Sequence, residues 1–309
     1  MKVINLSKKK FSTLNLVEIG DGVRNTEAKL YFFDHRGRKM VFKNLHRLKG
    51  GIFANKLVTI EMLNDNKEYL PSNFVIPSFL GSVNGEVLGF AEDYIEGTNL
   101  QVYLNNIKID CHDKIHHLKQ IGNTLEQLKY IRRDTPLNNI YINDLHAGNF
   151  IVTPTNELKV IDLDSSKICD NKPFPSIYLS SDTIIKYSNK YKIYDKGDSN
   201  NQEYEYRKEL GHIEADENSD IYCYIITIMN YLFGNSVHKM TTNEFYDYLN
   251  YLELIGINKE LIDCFEKILL NCDNENPVEY LSSLTTKNIT MANKKVYTKY
   301  LDRKLKLIN

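Results

Sequence analysis

The chain has 309 residues, of which 39 are basic and 40 are acidic, so its formal net charge is −1. This balance leaves no general positive field, and we therefore expect no nucleic-acid partner and no charged membrane surface. Five cysteines without C-x-x-C spacing predict neither a disulfide framework nor a structural zinc site, and they favour a reducing, cytoplasmic location. The first residues lack the pattern of a secretory signal, and the longest apolar run, residues 221–233, is too short to span a bilayer.

Residues 1–95 have the pattern of a small sheet with one helix. Apolar and β-branched residues form short runs bounded by turn residues, which predicts strands. After the third predicted strand, a longer apolar run without Gly or Pro predicts a helix. We predict five strands, at residues 14–20, 27–34, 39–45, 74–79 and 87–94, and a helix at residues 52–64.

The most informative polar residues of the chain lie in residues 141–165. Two short β-rich runs are joined there by a turn-like tetrad, Pro154 to Glu157, which predicts a hairpin. Such a hairpin would bring Asn149, at its entrance, next to Asp162, at its exit. An amide oxygen and a carboxylate side by side suit Mg²⁺, which takes few protein ligands together with phosphate oxygens. Asp144, on the loop before the hairpin, would face the same space and could orient or deprotonate a hydroxyl group. The alternative is a turn aspartate, a capping asparagine and a surface aspartate.

This stretch resembles the catalytic loop and the metal-binding loop of protein kinases and kinase-like phosphotransferases. Asp144 and Asn149 are five positions apart, as in H-R-D-x-x-x-x-N, and Asp162 matches the first residue of D-F-G. The resemblance implies an α+β, two-lobed protein-kinase-like fold, with a small antiparallel β lobe and a large, mainly helical lobe. We place the lobes at residues 1–95 and 96–290, an activation segment at residues 162–210, and a basic, helical and largely solvated tail at residues 291–309.

The resemblance also implies roles for residues of the small lobe. Gly20 and Gly22 would form a turn over the phosphates of ATP, because glycine lets backbone N–H groups approach closely; an ordinary hairpin turn is the alternative. Lys43, on the third strand, would bind the α- and β-phosphates and pair with a glutamate on the following helix. Glu61 is the favoured partner, and Glu68 is its competitor beyond the expected helix end.

Asp93, Tyr94 and Ile95 resemble the hinge of kinases, whose backbone groups meet the adenine. Glu92, just before them, falls where kinases usually have an apolar or small residue at the back of the adenine pocket. A buried carboxylate there is costly unless it is paired. Whether Glu92 lines the pocket, or the expected register is wrong by one residue, stays open at this point.

The catalytic loop departs from the protein-kinase pattern in ways that bear on the substrate. His146 replaces the lysine that touches the transferred phosphate, and D-L-H-x-G-N resembles antibiotic and other small-molecule phosphotransferases. Asp220, in contrast, resembles the aspartate that holds the catalytic-loop backbone in protein kinases and favours a protein substrate. Asp164 adds a carboxylate near the metal site, either as a third metal contact or as the partner of a basic side chain.

The sequence therefore predicts an ATP- and Mg²⁺-dependent phosphotransferase, with Ser or Thr of a protein as the favoured acceptor. Asp144 would position the acceptor hydroxyl or accept its proton, Lys43 and His146 would steady phosphates, and Asn149 and Asp162 would hold the metal. The alternatives are a small-molecule kinase, a pseudokinase that acts as a scaffold, and an enzyme that transfers AMP. The oligomeric state is not predicted.

Overall fold

The structure of the protein is a computed structural model that describes residues 1–16, 28–46, 48, 50–171, 215–237, 240–271 and 273–308. The turn predicted at Gly20 and Gly22 lies outside the described residues. Residues 172–210 of the predicted activation segment also lie outside the described residues.

The described strands and helices follow the order expected for a β-rich part and then a helical part. The strands are β1 (Val3–Leu6), β2 (Asn15–Leu16), β3 (Lys29–His35), β4 (Arg38–Asn44), β5 (Phe79–Val83), β6 (Glu86–Asp93), β7 (Thr98–Asn99), β8 (Ile140–Tyr141), β9 (Phe150–Val152), β10 (Leu158–Val160) and β11 (Lys167–Ile168). The helices are α1 (Lys8–Ser12), α2 (Gly50–Asp65), α3 (Leu100–Asn105), α4 (Cys111–Asp134), α5 (Glu217–Tyr231), α6 (Thr242–Leu254), α7 (Lys259–Asn271), α8 (Thr286–Ala292) and α9 (Lys294–Ile308). None of the helices in these described ranges has the length and apolarity needed to cross a bilayer.

The small lobe is a sheet of six strands in the order β1-β5-β6-β4-β3-β2. Alternation along β4 sends Met40 and Phe42 into one apolar cluster, while Lys43 and then Leu45 face the opposite side. That opposite side packs against α2 through Ile60. Strands β3, β4 and β6 and helix α2 agree with the prediction, but β1 was not predicted, and it pairs with β5 in parallel.

The predicted strand at residues 74–79 is wrong for most of its length. Phe74 forms an isolated bridge with Val160, and the N–H of Val75 donates to the carbonyl of Val160 at 2.9 Å. This segment therefore crosses to the hairpin of the large lobe, and β5 begins only at Phe79. Pro77 contributes to the difference, because proline has no N–H to offer to a sheet.

The large lobe has a continuous apolar core built mainly by α4, α5, α6 and α7. The apolar faces of α4 and α5 meet, and the Tyr224 hydroxyl donates to the Leu118 carbonyl at 2.8 Å. The predicted hairpin is present, since β9 and β10 are antiparallel with Leu158 opposite Val152.

The basic C-terminal tail is part of the large lobe. Residues 294–308 form α9, as the prediction of a helix requires, but Tyr297 is buried and not solvated. Its ring centroid lies 4.9 Å from those of Tyr248 and Tyr251 on α6. An aromatic cluster therefore holds this helix on the lobe, while its lysines remain exposed.

Candidate active site

Helix α5 holds the backbone of the loop between β8 and β9 through hydrogen bonds. Asn143 has φ 66°, a left-handed conformation that asparagine tolerates better than most residues. The carboxylate of Asp220, in the first turn of α5, accepts hydrogen bonds from the N–H groups of Ile142 at 2.7 Å and Asn143 at 2.8 Å. The Asn143 side chain donates to the Ser165 carbonyl at 2.8 Å, which ties the loop to the segment after Asp162. The contact expected for Asp220 is therefore present.

Asp220 is a buried acid whose ionisation is opposed by its surroundings. Burial raises the pKa of Asp220 to about 7, although hydrogen bonds from the Ile142 and Asn143 backbones act in the opposite direction. A group of this kind lies deep beneath the loop and does not face the cleft. We therefore assign it a role in holding the loop.

Asp144 and Asn149 are joined directly. The amide nitrogen of Asn149 donates to the Asp144 carbonyl at 2.9 Å and lies 3.4 Å from the Asp144 carboxylate. Because the nitrogen is used in this way, the amide oxygen is the atom that Asn149 can offer to a cation. The Asp144 side chain is 21% exposed, so its carboxylate is accessible from the cleft.

His146 is placed beside Asp144 by its own backbone. Its Nδ1 atom accepts a hydrogen bond from the N–H of Gly148 at 3.0 Å, which requires a lone pair on that nitrogen. The imidazole of this arrangement is therefore neutral, with its proton on Nε2, 3.7 Å from Asp144 Oδ2. A Cβ atom on Gly148 would lie 2.7 Å from the ring, so any other residue at that position would displace the His146 side chain. His146 is thus arranged as a hydrogen-bond donor and not as the positive charge of a lysine.

Lys43 and Asp162 meet across the cleft between the lobes. The N–H of Ile161 donates to the Asn149 carbonyl at 2.9 Å, so Asp162 follows directly where the two strands of the hairpin are paired. Asp162 itself has φ 63°, and its carboxylate forms an ion pair with Lys43. Lys43, predicted from the small lobe, therefore lies at one cleft with Asp144, Asn149 and Asp162, which were predicted from residues 141–165.

In this structure Lys43 is paired with residues other than Glu61, the partner expected from the sequence. Lys43 pairs with Asp162 and Asp164, and no ion pair of Glu61 is found among the described residues. The face of α2 that is buried carries Lys56, Thr59, Ile60 and Leu63. With about 100° per residue, Glu61 lies about 140° around the helix from Lys56, so it does not point at the cleft.

Sequence reasoning missed Lys56, whose Nζ lies 2.7 Å from Asp164 Oδ2. Burial acts to raise the pKa of Asp164, but the charges of Lys43 and Lys56 outweigh it and hold that pKa below its usual range. Asp164 is therefore the partner of basic side chains, one of the two possibilities that the sequence left open. The sequence does carry a signal for the burial of Lys56: helical periodicity places it on the same face as Phe53, Ile60 and Leu63.

The predicted hinge residues lie at the end of β6. Asp93 is paired with Met40 in the sheet, and its carboxylate forms an ion pair with Arg38. The N–H of Tyr94 donates to the Lys39 carbonyl at 3.0 Å, so it belongs to the sheet. The carbonyl of Tyr94 and the backbone of Ile95, beyond the strand, are the groups that a base could use.

Glu92 lies on the cleft side of the sheet, which answers the question of register. It is directly opposite Val41, and Lys43 is opposite Phe90, so the side chains of Glu92 and Lys43 share one face. Burial raises the pKa of Glu92 to about 7, while the charge of Lys43 acts to lower it. A carboxyl group that is half-protonated near neutrality therefore stands at the back of the cleft.

The oxygen donors of the cleft fit Mg²⁺ bound together with a nucleotide. No cluster of three or more His, Cys, Asp or Glu side chains that could hold a metal by itself occurs within the described ranges. Mg²⁺ is commonly bound by one or two carboxylates plus substrate phosphates, and it keeps several waters. The amide oxygen of Asn149 and the carboxylate of Asp162, which is 33% exposed, match that donor set.

Comparison with known proteins bears on the fold. No protein-family model and no curated protein sequence matches the chain. Among solved structures, that of an apo pseudokinase matches with a TM-score of 0.50 and 12% sequence identity, over 94% of this chain and 97% of that chain. The chain therefore has the two-lobed α+β fold of protein kinases, with a small β lobe and a large helical lobe.

Proposed function

We propose that the protein is an ATP- and Mg²⁺-dependent phosphotransferase that transfers the γ-phosphoryl group to a hydroxyl, with Ser or Thr of a protein as the favoured acceptor. One observation carries this proposal: Lys43, Asp144, Asn149 and Asp162 converge on one cleft through direct contacts. A chance grouping of surface residues would not place a strand lysine, a loop aspartate and both ends of a hairpin together.

Each of these residues has a role that its geometry supports. Asn149 and Asp162 would hold Mg²⁺, which when bound neutralises charge on the phosphates of the nucleotide. Lys43 would contact the phosphates from the small lobe. Asp144 orients the acceptor hydroxyl or accepts its proton, and the Nε2–H of His146 is placed to donate a hydrogen bond beside it. Catalysis by such a site is mostly alignment and charge stabilisation.

The acceptor is tested by incubating the protein with ATP labelled at the γ-phosphate and a cell lysate. We expect label in protein bands, because Asp220 holds the loop as in protein kinases. Label only in low-mass products would favour the small-molecule kinase, for which D-L-H-x-G-N is the supporting pattern. Intact mass of the product separates phosphoryl transfer from AMP transfer, since the two adducts differ greatly in mass.

The roles are tested by two substitutions with a matched control. Asp162→Ala removes the side-chain oxygens that would bind the metal, and it should abolish Mg²⁺-dependent ATP binding in calorimetry. Asp144→Asn should leave that binding within a few-fold of wild type but reduce transfer by at least about a hundredfold. Asp302→Asn, an exposed aspartate of α9, should change neither. Transfer that survives both of the first two substitutions would contradict the proposal.

A binding scaffold without catalysis is the second candidate function. It is favoured by the ion pairs of Lys43 with Asp162 and Asp164, which occupy both the phosphate-binding lysine and a metal ligand. One solved structure with a similar fold, 12% identical in sequence, is that of a pseudokinase. A wild-type protein that binds no Mg²⁺–ATP in calorimetry would support the scaffold and exclude the phosphotransferase.

A further inference from the structure

Helix α2 is connected to the segment after Asp162 by a buried ion pair. Lys56 is 2% exposed, and its Nζ lies 2.7 Å from Asp164 Oδ2 and 3.0 Å from Ser165 Oγ. The other carboxylate oxygen of Asp164 lies 2.7 Å from Lys43 Nζ. Asp164, which is 1% exposed, thus has a lysine partner on each side.

The ion pairs of this cluster join two lysines, Lys43 and Lys56, to two aspartates, Asp162 and Asp164. Lys43 is shared between Asp162 and Asp164 in this arrangement. The proposed function requires Lys43 on the phosphates and Asp162 on the metal, so Lys43 has to leave both aspartates. A buried carboxylate that loses its counter-charge is strongly disfavoured, and Asp164 would hold Lys43 back if it had no other cation. Lys56 is the cation that can remain.

We propose that Lys56 is a positioning residue of the nucleotide site, which stays paired with Asp164 and so releases Lys43 for the phosphates of a bound nucleotide. This inference rests on the proposed function, because nucleotide binding is what demands the exchange of partners. It also assigns Asp164 to the pairing with Lys56 and not to the coordination of the metal.

A second contact on the same face of α2 supports this role. The side chain of Asn171 donates to Thr59 Oγ1 at 2.6 Å, and both residues are buried. Lys56 and Thr59 are three positions apart and therefore lie next to each other on the helix. These two contacts join α2 to the segment after Asp162 without using Lys43. The attachment can persist while Lys43 changes its partner.

The test is calorimetric binding of Mg²⁺–ATP to the full chain, with the free energy of unfolding of each variant measured separately in urea. Lys56→Met should weaken binding at least tenfold, equivalent to about 1.4 kcal/mol, because Asp164 then retains Lys43. Lys56→Arg keeps the charge and should bind within threefold of wild type. In the double variant Lys56→Met/Asp164→Asn, the retaining carboxylate is gone, and affinity should return to within threefold of Asp164→Asn alone. The exposed control Lys67→Met should match wild type.

The outcomes separate this inference from the function on which it rests. Wild type that binds no Mg²⁺–ATP would overturn both. If wild type binds Mg²⁺–ATP and Lys56→Met binds it equally tightly, the inference about Lys56 is overturned but the proposed function is not. A larger loss in Glu61→Gln than in Lys56→Met would have the same consequence, because the helix glutamate would then be the partner of Lys43. If Lys56→Met does not fold, Asp164→Asn decides: affinity equal to or above wild type supports the inference, and a tenfold loss overturns it.

Discussion

Ionisation of Glu92, at the back of the cleft, should make the free energy of unfolding depend on pH. The change is Glu92→Gln, which keeps the shape of the side chain and removes its ionisation. Burial raises the pKa of Glu92 from 4.5 to about 7. Between these two values the folded protein holds a proton that the unfolded chain has released, so the free energy of unfolding falls as pH rises. The stabilisation that comes from protonation of Glu92 in the folded protein is complete below about pH 4.5. It is lost once the pH has risen above the pKa of Glu92 in the folded protein, about 7.

The size of the effect follows from the shift. One pKa unit corresponds to about 1.4 kcal/mol, and a shift of roughly 2.5 units sets an upper bound of about 3.4 kcal/mol. Because Glu92 is only partly buried in the cleft, we expect about 1–3 kcal/mol. The glutamine variant should therefore match wild type within about 1 kcal/mol at pH 4.5 and exceed it by about 1–3 kcal/mol at pH 8.

Urea denaturation of both proteins at half-unit steps from pH 4.5 to pH 8 measures this difference. Asp220 also has a pKa raised to about 7, so the stability of wild type alone is not diagnostic. The Asp220 contribution is common to both proteins and cancels in the difference. A difference that is constant across this range, or that favours wild type at pH 8, would refute the reasoning about Glu92.

Two further predictions concern packing, each with a matched control. Gly89→Ala should lower the free energy of unfolding by at least about 2 kcal/mol, because a Cβ there would lie 1.9 Å from the Lys43 carbonyl oxygen; Gly51→Ala, with open space on α2, should raise it by up to about 1 kcal/mol. Equal effects in urea denaturation would contradict this account. Tyr297→Ala should cost about 2–4 kcal/mol by loosening α9, whereas Tyr246→Ala, 43% exposed on α6, should cost less than about 1 kcal/mol. A loss below about 1 kcal/mol for Tyr297 would show that α9 is not part of the core.

The hairpin and its polar residues were predictable because the contacts that form them are local. Asn149 and Asp162 lie at the two ends of one hairpin, and the turn between its strands holds Asn156 at φ 65°. Asparagine tolerates such a conformation, so the turn sequence itself favours the register. The same local logic accounts for β4, which was predicted at residues 39–45.

The partners of the buried lysines were not predictable, because they are distant in sequence. Asp164 is 108 positions from Lys56, and neither residue signals the other. A lysine in a helix is usually solvated through its long side chain, so burial of Lys56 depends on a carboxylate that only the folded chain supplies. The pairing of Lys43 in this structure, with Asp162 and Asp164 and not with Glu61, depends likewise on residues that are distant in sequence.

The strand placed at residues 74–79 illustrates the same limit. Its apolar composition suits a strand, but composition does not say which sheet a segment joins. The bridge of Phe74 with Val160 lies in the large lobe, and the small-lobe strand starts after Pro77.

The most direct test of the central claim is a crystal structure of the protein with Mg²⁺ and a non-hydrolysable ATP analogue. The account predicts that the metal is bound by the amide oxygen of Asn149 and the carboxylate of Asp162, with the terminal phosphate facing Asp144. Lys43 should contact a phosphate while Lys56 remains paired with Asp164. A nucleotide bound elsewhere, or in this cleft with no metal contact from Asn149 and Asp162, would contradict it.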